Sequence, residues 1–141
     1  MKVFVDADAF VGLTIPTDAH HKTAVSLVKV LKDKKAQLFT SSDVLKEAAT
    51  VISQRGSHKA AVEFLRKIIS GEVDVTVIFV DEEINQRGIE IFTKQASKNV
   101  SVFDCTSFAV MEKYKIEHAF SFDKHFGRRR IKLKKDPKIG S

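Results

Sequence analysis

Five acidic residues lie where predicted strands end or where the following helix begins. Asp6 directly follows the run VFV, Asp8 comes two residues later, and Asp123 directly follows FSF. Asp104 comes after SVF at the head of a predicted helix, and Glu47 lies in the first turns of the helix after QLFT. Carboxylates bind divalent cations and exchange protons at reacting centres, so this pattern points to metal or acid–base chemistry.

The positions of these acids favour a bound cation. The carboxyl ends of parallel strands meet at one edge of a sheet, where each pair of carboxylates about 4 Å apart would cost roughly 4 kcal/mol. Oxygen ligands without several Cys or His favour Mg²⁺ or Mn²⁺ over Zn²⁺. Such a cation acidifies bound water and offsets charge on a phosphate. Taken singly, each acid also has a structural explanation: Asp104 as a helix cap, Asp6 and Asp123 as turn residues, Asp8 as a loop residue, and Glu47 as a solvated helix residue.

These acids must be positioned by alternating strands and helices. The sequence predicts strands over 2–6, 37–40, 73–80 and 118–122, and a last edge strand where Ile131 and Leu133 alternate with lysines. Helices are predicted over 19–35, 58–70 and 105–114, after the caps Ser41 and Ser42, and after the cap Asp81. The segment from Asp6 to Phe10 is expected to be a loop. This alternation predicts an α/β domain with a mostly parallel sheet.

Length and composition set the broad class of the protein. A chain of 141 residues with 43% hydrophobic and 30% charged residues predicts one globular domain over 1–141. A single cysteine suits a reducing compartment, and the start MKVFVDADAF lacks the continuous apolar core of a signal peptide. The run VTVIFV over 75–80 is too short to cross a bilayer. We therefore expect a cytoplasmic protein with no membrane partner.

The net charge of +6 is concentrated near the C-terminus. The segment 124–138, KHFGRRRIKLKKDPK, holds eight basic residues and one acid, whereas residues 1–123 are close to neutral. A basic segment on a neutral body indicates an anionic partner, with nucleic acid ahead of membrane. The expected RNA-binding residues are the six cations Arg128, Arg129, Arg130, Lys132, Lys134 and Lys135. A solvated terminus is the alternative.

The ordered motifs VFVDADAF, TSSDVLKEAAT, VFDCTSFAVMEK and AFSFDKHF resemble those of the PIN-domain ribonucleases, including the VapC-like toxins. The resemblance covers nearly the whole chain and implies a PIN-like three-layer α/β/α fold. It implies that Asp6, Glu47, Asp104 and Asp123 form the family's acidic quartet, which binds Mg²⁺ or Mn²⁺ for RNA hydrolysis. Supporting roles fall to Asp8 and Ser107. The resemblance further implies a type II toxin that forms a homodimer and pairs with a cognate antitoxin.

Two other functions remain open from the sequence. VFVDADAF also resembles the opening of haloacid-dehalogenase-like phosphatases, in which Asp6 would be the nucleophile and Asp8 its acid–base partner. Lys124, directly after Asp123, departs from the pair of acids that this family usually has at its last metal site. The other alternative is a non-catalytic, RNA-binding scaffold with the PIN-like fold.

Overall fold

A computed structural model of the chain describes residues 1–133. The strands are β1 (Lys2–Val5), β2 (Gln37–Ser41), β3 (Thr76–Ile78) and β4 (His118–Phe120). The helices are α1 (Ala7–Thr14), α2 (His21–Asp33), α3 (Ser42–Arg55), α4 (His58–Ile69), α5 (Glu82–Lys94) and α6 (Val102–Tyr114). A 3₁₀ segment follows over Lys124–Arg129. None of the helices in this part of the chain is long and apolar enough to cross a membrane.

The four strands form one parallel sheet in the order β3–β2–β1–β4, which confirms the predicted α/β class. Val3 of β1 pairs with Leu38 of β2 on one side and with His118 of β4 on the other. The central strand β1 is buried along Val3, Phe4 and Val5, as expected for a strand covered on both faces. Because all four strands run the same way, their carboxyl ends share one edge of the sheet.

The strand predicted over 73–80 is much shorter in the structure. Only Thr76 to Ile78 pair with β2, because β3 is an edge strand with a single neighbour. Beyond it, the Val80 backbone N–H donates to the Ser42 side chain at 2.9 Å instead of extending the ladder. Likewise β4 ends at Phe120, which leaves Ser121 to Asp123 in the loop beyond the sheet.

The prediction of a loop after Asp6 is wrong, since α1 begins at Ala7 directly after β1 and Asp6. This helix has no polar face that would mark it as amphipathic, and Ala9, Phe10 and Val11 are all buried. An eight-residue helix with only two polar residues gives no clear 3.6-residue pattern, which explains why the sequence did not indicate it. Asp8 therefore lies on the first turn of a helix rather than in a loop.

Helices α5 and α6 pack closely at Gly88. A Cβ atom placed at Gly88 would lie 2.9 Å from the Cα of Thr106, closer than real Cβ contacts allow. The missing side chain lets the two helices approach near the N-terminal end of α6, two residues beyond Asp104. This contact therefore helps to set the position of Asp104.

The predicted last edge strand is reduced to one bridge. Arg130 forms an isolated parallel bridge with Ala119, and the Ile131 backbone N–H donates to the carbonyl of Ala119 at 2.8 Å. Within the described residues, the chain around Ile131 to Leu133 forms no continuous strand. Lys134 and Lys135 lie outside the residues that the structure describes.

Candidate metal and catalytic site

Asp6 lies at the centre of the acidic edge of the sheet. Asp6 is only 9% exposed to solvent. Its backbone N–H donates to the carbonyl of Phe120 at 3.0 Å, which continues the hydrogen bonding between β1 and β4 by one bond. The Ser121 hydroxyl donates to Asp6 Oδ2 at 2.9 Å. The neighbouring strand β4 therefore holds the backbone of Asp6, and Ser121 in the loop after β4 holds its buried carboxylate.

Asp8 joins the same group from the first turn of α1. Its Oδ2 accepts the backbone N–H of Phe122 at 3.0 Å and lies 3.4 Å from the Ser121 hydroxyl oxygen. Its Oδ1 is buried and has no hydrogen-bond partner among residues 1–133. Such an atom has lost contact with water without compensation, which a cation or an ordered water would supply.

Asp104 reaches the site from the first turn of α6, as expected for an acid at the head of a helix. The predicted start of this helix at Cys105 is wrong by one turn, because Ser101 is the N-cap and the helix begins at Val102. Asp104 Oδ2 accepts the Ser101 backbone N–H at 3.1 Å, and the Ser101 hydroxyl accepts the Asp104 N–H at 3.0 Å. This reciprocal pair is a capping box, and it engages only one oxygen of the Asp104 carboxylate.

Asp123 and His125 complete a cluster with Asp104. Ligand atoms of these three residues all lie within 4.8 Å of one another. Asp123 Oδ1 accepts the His125 backbone N–H at 2.9 Å and lies 2.8 Å from His125 Nδ1. The ring nitrogen is near enough to the carboxylate for an ion pair but not aligned for a hydrogen bond, so it is buried without a hydrogen-bond partner in the described chain.

Glu47 lies in the second turn of α3, as the sequence predicted. Glu47 is exposed overall. Partial desolvation nevertheless raises the pKa of its carboxyl to about 7, and repulsion from Asp6 and Asp104 adds to the rise. Asp6 and Asp104 are thus close enough to Glu47 to act on its carboxyl, while the Glu47 residue itself is exposed to solvent.

The buried acids also hold their protons more tightly than free carboxyls do. Desolvation and then repulsion from Asp8 raise the pKa of Asp6 to about 7. Desolvation raises the pKa of Asp8 to about 6, with a further contribution from Asp123. Shifts of this size arise where like charges are held together out of water, which is typical of functional sites.

The structure thus brings the five acids named from the sequence close to one another, despite the repulsion between their charges. Ser107 is buried on α6 one turn after Asp104, and its supporting role stays a prediction. Sequence reasoning gave no role to Ser121, although it links Asp6, Asp8 and, by accepting the Asp123 N–H at 3.0 Å, the last acid as well. The sequence did offer one indication of this role: Ser121 is a small hydroxyl residue that directly follows the end of β4 and precedes Asp123 by two residues.

The basic segment is partly engaged within the protein. Arg129 lies over the Phe108 ring, 4.8 Å from its centroid, and Arg130 donates to the carbonyl of Phe122 at 3.1 Å. Arg128 and Lys132 are exposed. A surface depression of about 510 Å³ lined by Phe108 and Arg129, among others, contains none of the five acids.

Comparisons with known proteins agree with this geometry. The sequence profile of the PIN domain matches residues 3–132, so the chain belongs to the PIN-domain family. Among its relatives is the 23S rRNA-specific endonuclease VapC20 of Mycobacterium tuberculosis, 34% identical over 124 residues that cover 88% of this chain and 91% of the relative. The crystal structure of M. tuberculosis VapC20, described as a sarcin-ricin loop cleaving toxin, superposes with a TM-score of 0.77 at 33% identity, over 88% and 92% of the two chains.

The family match confirms the VapC-like resemblance and the nuclease class, and it removes the phosphatase alternative, in which Asp6 would be a covalent nucleophile.

Proposed function

We propose that this protein is a divalent-metal-dependent endoribonuclease that uses Asp6, Glu47, Asp104 and Asp123 as its acidic site. The observation that carries the proposal is the convergence of these acids at one edge of a parallel sheet, with raised pKa values at Asp6 and Glu47. Such an arrangement destabilises the folded protein unless a cation neutralises it. The proposal deepens the family assignment by giving each acid a role.

The donor atoms fit Mg²⁺ or Mn²⁺. Asp6, Asp104 and Asp123 would hold the cation through carboxylate oxygens, and the unpartnered Asp8 Oδ1 marks a further place where positive charge is missing. A bound Mg²⁺ or Mn²⁺ would supply positive charge against the phosphate and acidify a water molecule. The nearby nitrogen of His125 is compatible with Mn²⁺, which accepts imidazole more readily than Mg²⁺ does.

The remaining groups would orient the reactants. Without a cation the pKa values of Glu47 and Asp8 are raised to about 7 and 6; with a cation bound, both would be ionised near neutral pH and able to accept a proton from water. Ser121 holds Asp6 and the Asp123 backbone in one arrangement, so the carboxylates need no rearrangement when RNA arrives. Ser107 would support α6 behind Asp104.

The central experiment measures cleavage of defined RNAs with Mg²⁺ or Mn²⁺, with EDTA, and with Asp104→Asn. We expect EDTA and the substitution each to lower cleavage at least about 100-fold. Asp81→Asn is a matched control, because Asp81 also caps a helix, accepting the Ile84 N–H at 2.9 Å, and lies on the exposed start of α5. Cleavage that survives both EDTA and Asp104→Asn would refute the proposal, whereas a protein that binds RNA but never cleaves it would favour the scaffold alternative.

The wider biological assignment follows the VapC-like relatives. We propose that the protein is the toxin of a type II toxin–antitoxin pair, acts on RNA in the cytoplasm as a homodimer, and is inhibited by an antitoxin segment that covers the acidic site. The 23S rRNA that gives VapC20 its description is the first substrate to test. Light scattering tests the dimer, and co-purification with the product of an adjacent reading frame tests the antitoxin.

The basic segment is proposed to bind the RNA backbone. Arg128 and Lys132 are exposed and follow Asp123 within nine residues of chain, whereas Arg129 and Arg130 already contact Phe108 and Phe122. Contacts from cations to phosphates make affinity depend on salt. Lys134 and Lys135 are proposed for the same role from the sequence alone.

A further inference from the structure

An aromatic pair lies directly beside the acidic cluster. The rings of His20 and Phe122 are stacked, with centroids 4.1 Å apart and planes within 4° of parallel. Phe122 stands between Ser121 and Asp123 in the chain, and its backbone N–H donates to Asp8 at 3.0 Å. The His20–Phe122 pair is therefore joined to the proposed reaction site through one hydrogen bond and one peptide unit.

Both members of the pair are held in place. The carbonyl of Phe122 accepts a hydrogen bond from Arg130 at 3.1 Å, so its backbone is fixed on both sides. The His20 N–H donates to Asp18 Oδ2 at 2.9 Å, and Asp18 in turn pairs with Arg55 at 2.9 Å. The Asp18 side chain is only 9% exposed, which makes it a firm anchor for the loop.

The loop that carries His20 is tied to α1 by hydrogen bonds. The Nδ1 of His21, the next residue, lies 2.8 Å from the carbonyl oxygen of Gly12 in α1. The Asp18 backbone N–H also donates to the carbonyl of Ile15, directly after α1, at 3.0 Å. A ring presented by such a loop loses little conformational entropy when it binds a ligand.

Despite these anchors, His20 is exposed to solvent, while Phe122 beneath it is half-buried. Phe122 covers the inner face of the imidazole, so the surface that His20 exposes lies on the ring edges and the outer face. Proteins recognise single-stranded RNA mainly by stacking unpaired bases on aromatic side chains, including His. A rigid aromatic ring with a free face beside a phosphodiester-cleaving site has the chemistry for that task.

We propose that His20, supported from below by Phe122, is a stacking platform for one unpaired nucleobase next to the phosphate that is cleaved. The proposal rests on the proposed ribonuclease function and adds a residue that determines how RNA is positioned. His20 does not touch the reacting atoms in this scheme. It holds a flanking base, so that the backbone leads past Asp8 towards the carboxylates.

The test uses 12-nucleotide single-stranded RNAs that carry 2-aminopurine at successive positions, bound to the full chain with Asp104→Asn so that the RNA stays intact. We expect the fluorescence to be quenched at one or two adjacent positions. His20→Ala should abolish the quenching and weaken binding about five- to tenfold, whereas His20→Phe should retain both. His58→Ala is the matched control, because His58 is an exposed histidine at the start of α4.

Equal binding and equal quenching by His20→Ala and His58→Ala would overturn the proposal. A lower melting temperature of His20→Ala with unchanged RNA binding would have the same meaning, because His20 would then only cover Phe122. The same experiments distinguish failure of the stacking platform from failure of the ribonuclease function. If the wild type and His20→Ala cleave RNA with the same KM, the platform proposal is wrong and the ribonuclease proposal stands. If the wild type shows His20-dependent quenching but never cleaves RNA, the ribonuclease proposal is wrong and His20 still binds a base.

Discussion

Replacing Asp6 by Asn should make the metal-free protein more stable while abolishing its activity. The Asp6 carboxylate is buried beside Asp8 and Asp104, and desolvation with repulsion raises its pKa to about 7. Asn has nearly the same shape, and its carbonyl oxygen can still accept the Ser121 hydroxyl bond. The substitution therefore removes the unfavourable charge and keeps most of the packing.

The size of the effect follows from the pKa of Asp6. A rise from 3.8 to about 7 corresponds to about 4 kcal/mol lost from the free energy of unfolding when Asp6 is ionised. The folded state binds more protons than the unfolded state between these two values, so the loss is absent below about pH 4, grows as the pH rises, and is complete above about pH 7. Allowing about 1 kcal/mol for poorer hydrogen bonding, we expect Asp6→Asn to gain about 1–3 kcal/mol at pH 7.5.

The assay is thermal or urea unfolding in EDTA across pH 4.5–8. The gain in melting temperature should be on the order of 5–10 °C at pH 7.5 and close to zero at pH 4.5. Mn²⁺ should stabilise the wild type more than the variant, since binding to the folded state alone raises stability. Asp81→Asn should have the opposite sign, because hydrogen bonding to Ile84 and the charge of Lys113 lower the pKa of Asp81. An Asp6→Asn protein that is no more stable than the wild type at pH 7.5 in EDTA would refute this account of the site.

Three further predictions concern metal, packing and RNA. Mn²⁺ affinity, measured by calorimetry, should rise from pH 5 to pH 8 as Asp8 and Glu47, with pKa values of about 6 and 7, lose their protons; a flat profile would contradict the assignment. Gly88→Ala should destabilise the protein by about 1–3 kcal/mol in urea unfolding, because its Cβ would meet the backbone of Thr106, and an unchanged midpoint would show that α5 and α6 can separate. Arg128→Ala should weaken RNA binding and reduce its salt dependence by about one phosphate contact, and an unchanged salt slope would leave the exposed arginine without a role in binding.

Sequence patterns predicted most of the framework because local chemistry decides it. Ser41 caps α3 and Asp81 caps α5, as expected from side chains that accept the free N–H groups of a helix. The alternation of strands and helices was enough for the parallel sheet. The patterns failed where a helix is mostly buried, as in α1, and where pairing depends on a neighbour, as in β3. Neither the period of a buried helix nor the length of an edge strand is a local property.

The sequence by itself determined which acids could act, because an acid that follows a strand must lie at the carboxyl edge of a parallel sheet. Tertiary structure alone decided how they meet. It bonded Ser121 to Asp6, joined Asp104 to Ser101 in a capping box at the start of α6, and stacked His20 on Phe122 across a hundred residues of chain. The pKa values of the acids depend on desolvation and on charges that folding brings close together. Spacing along the chain determines neither the burial of a carboxyl nor its distance from another charge.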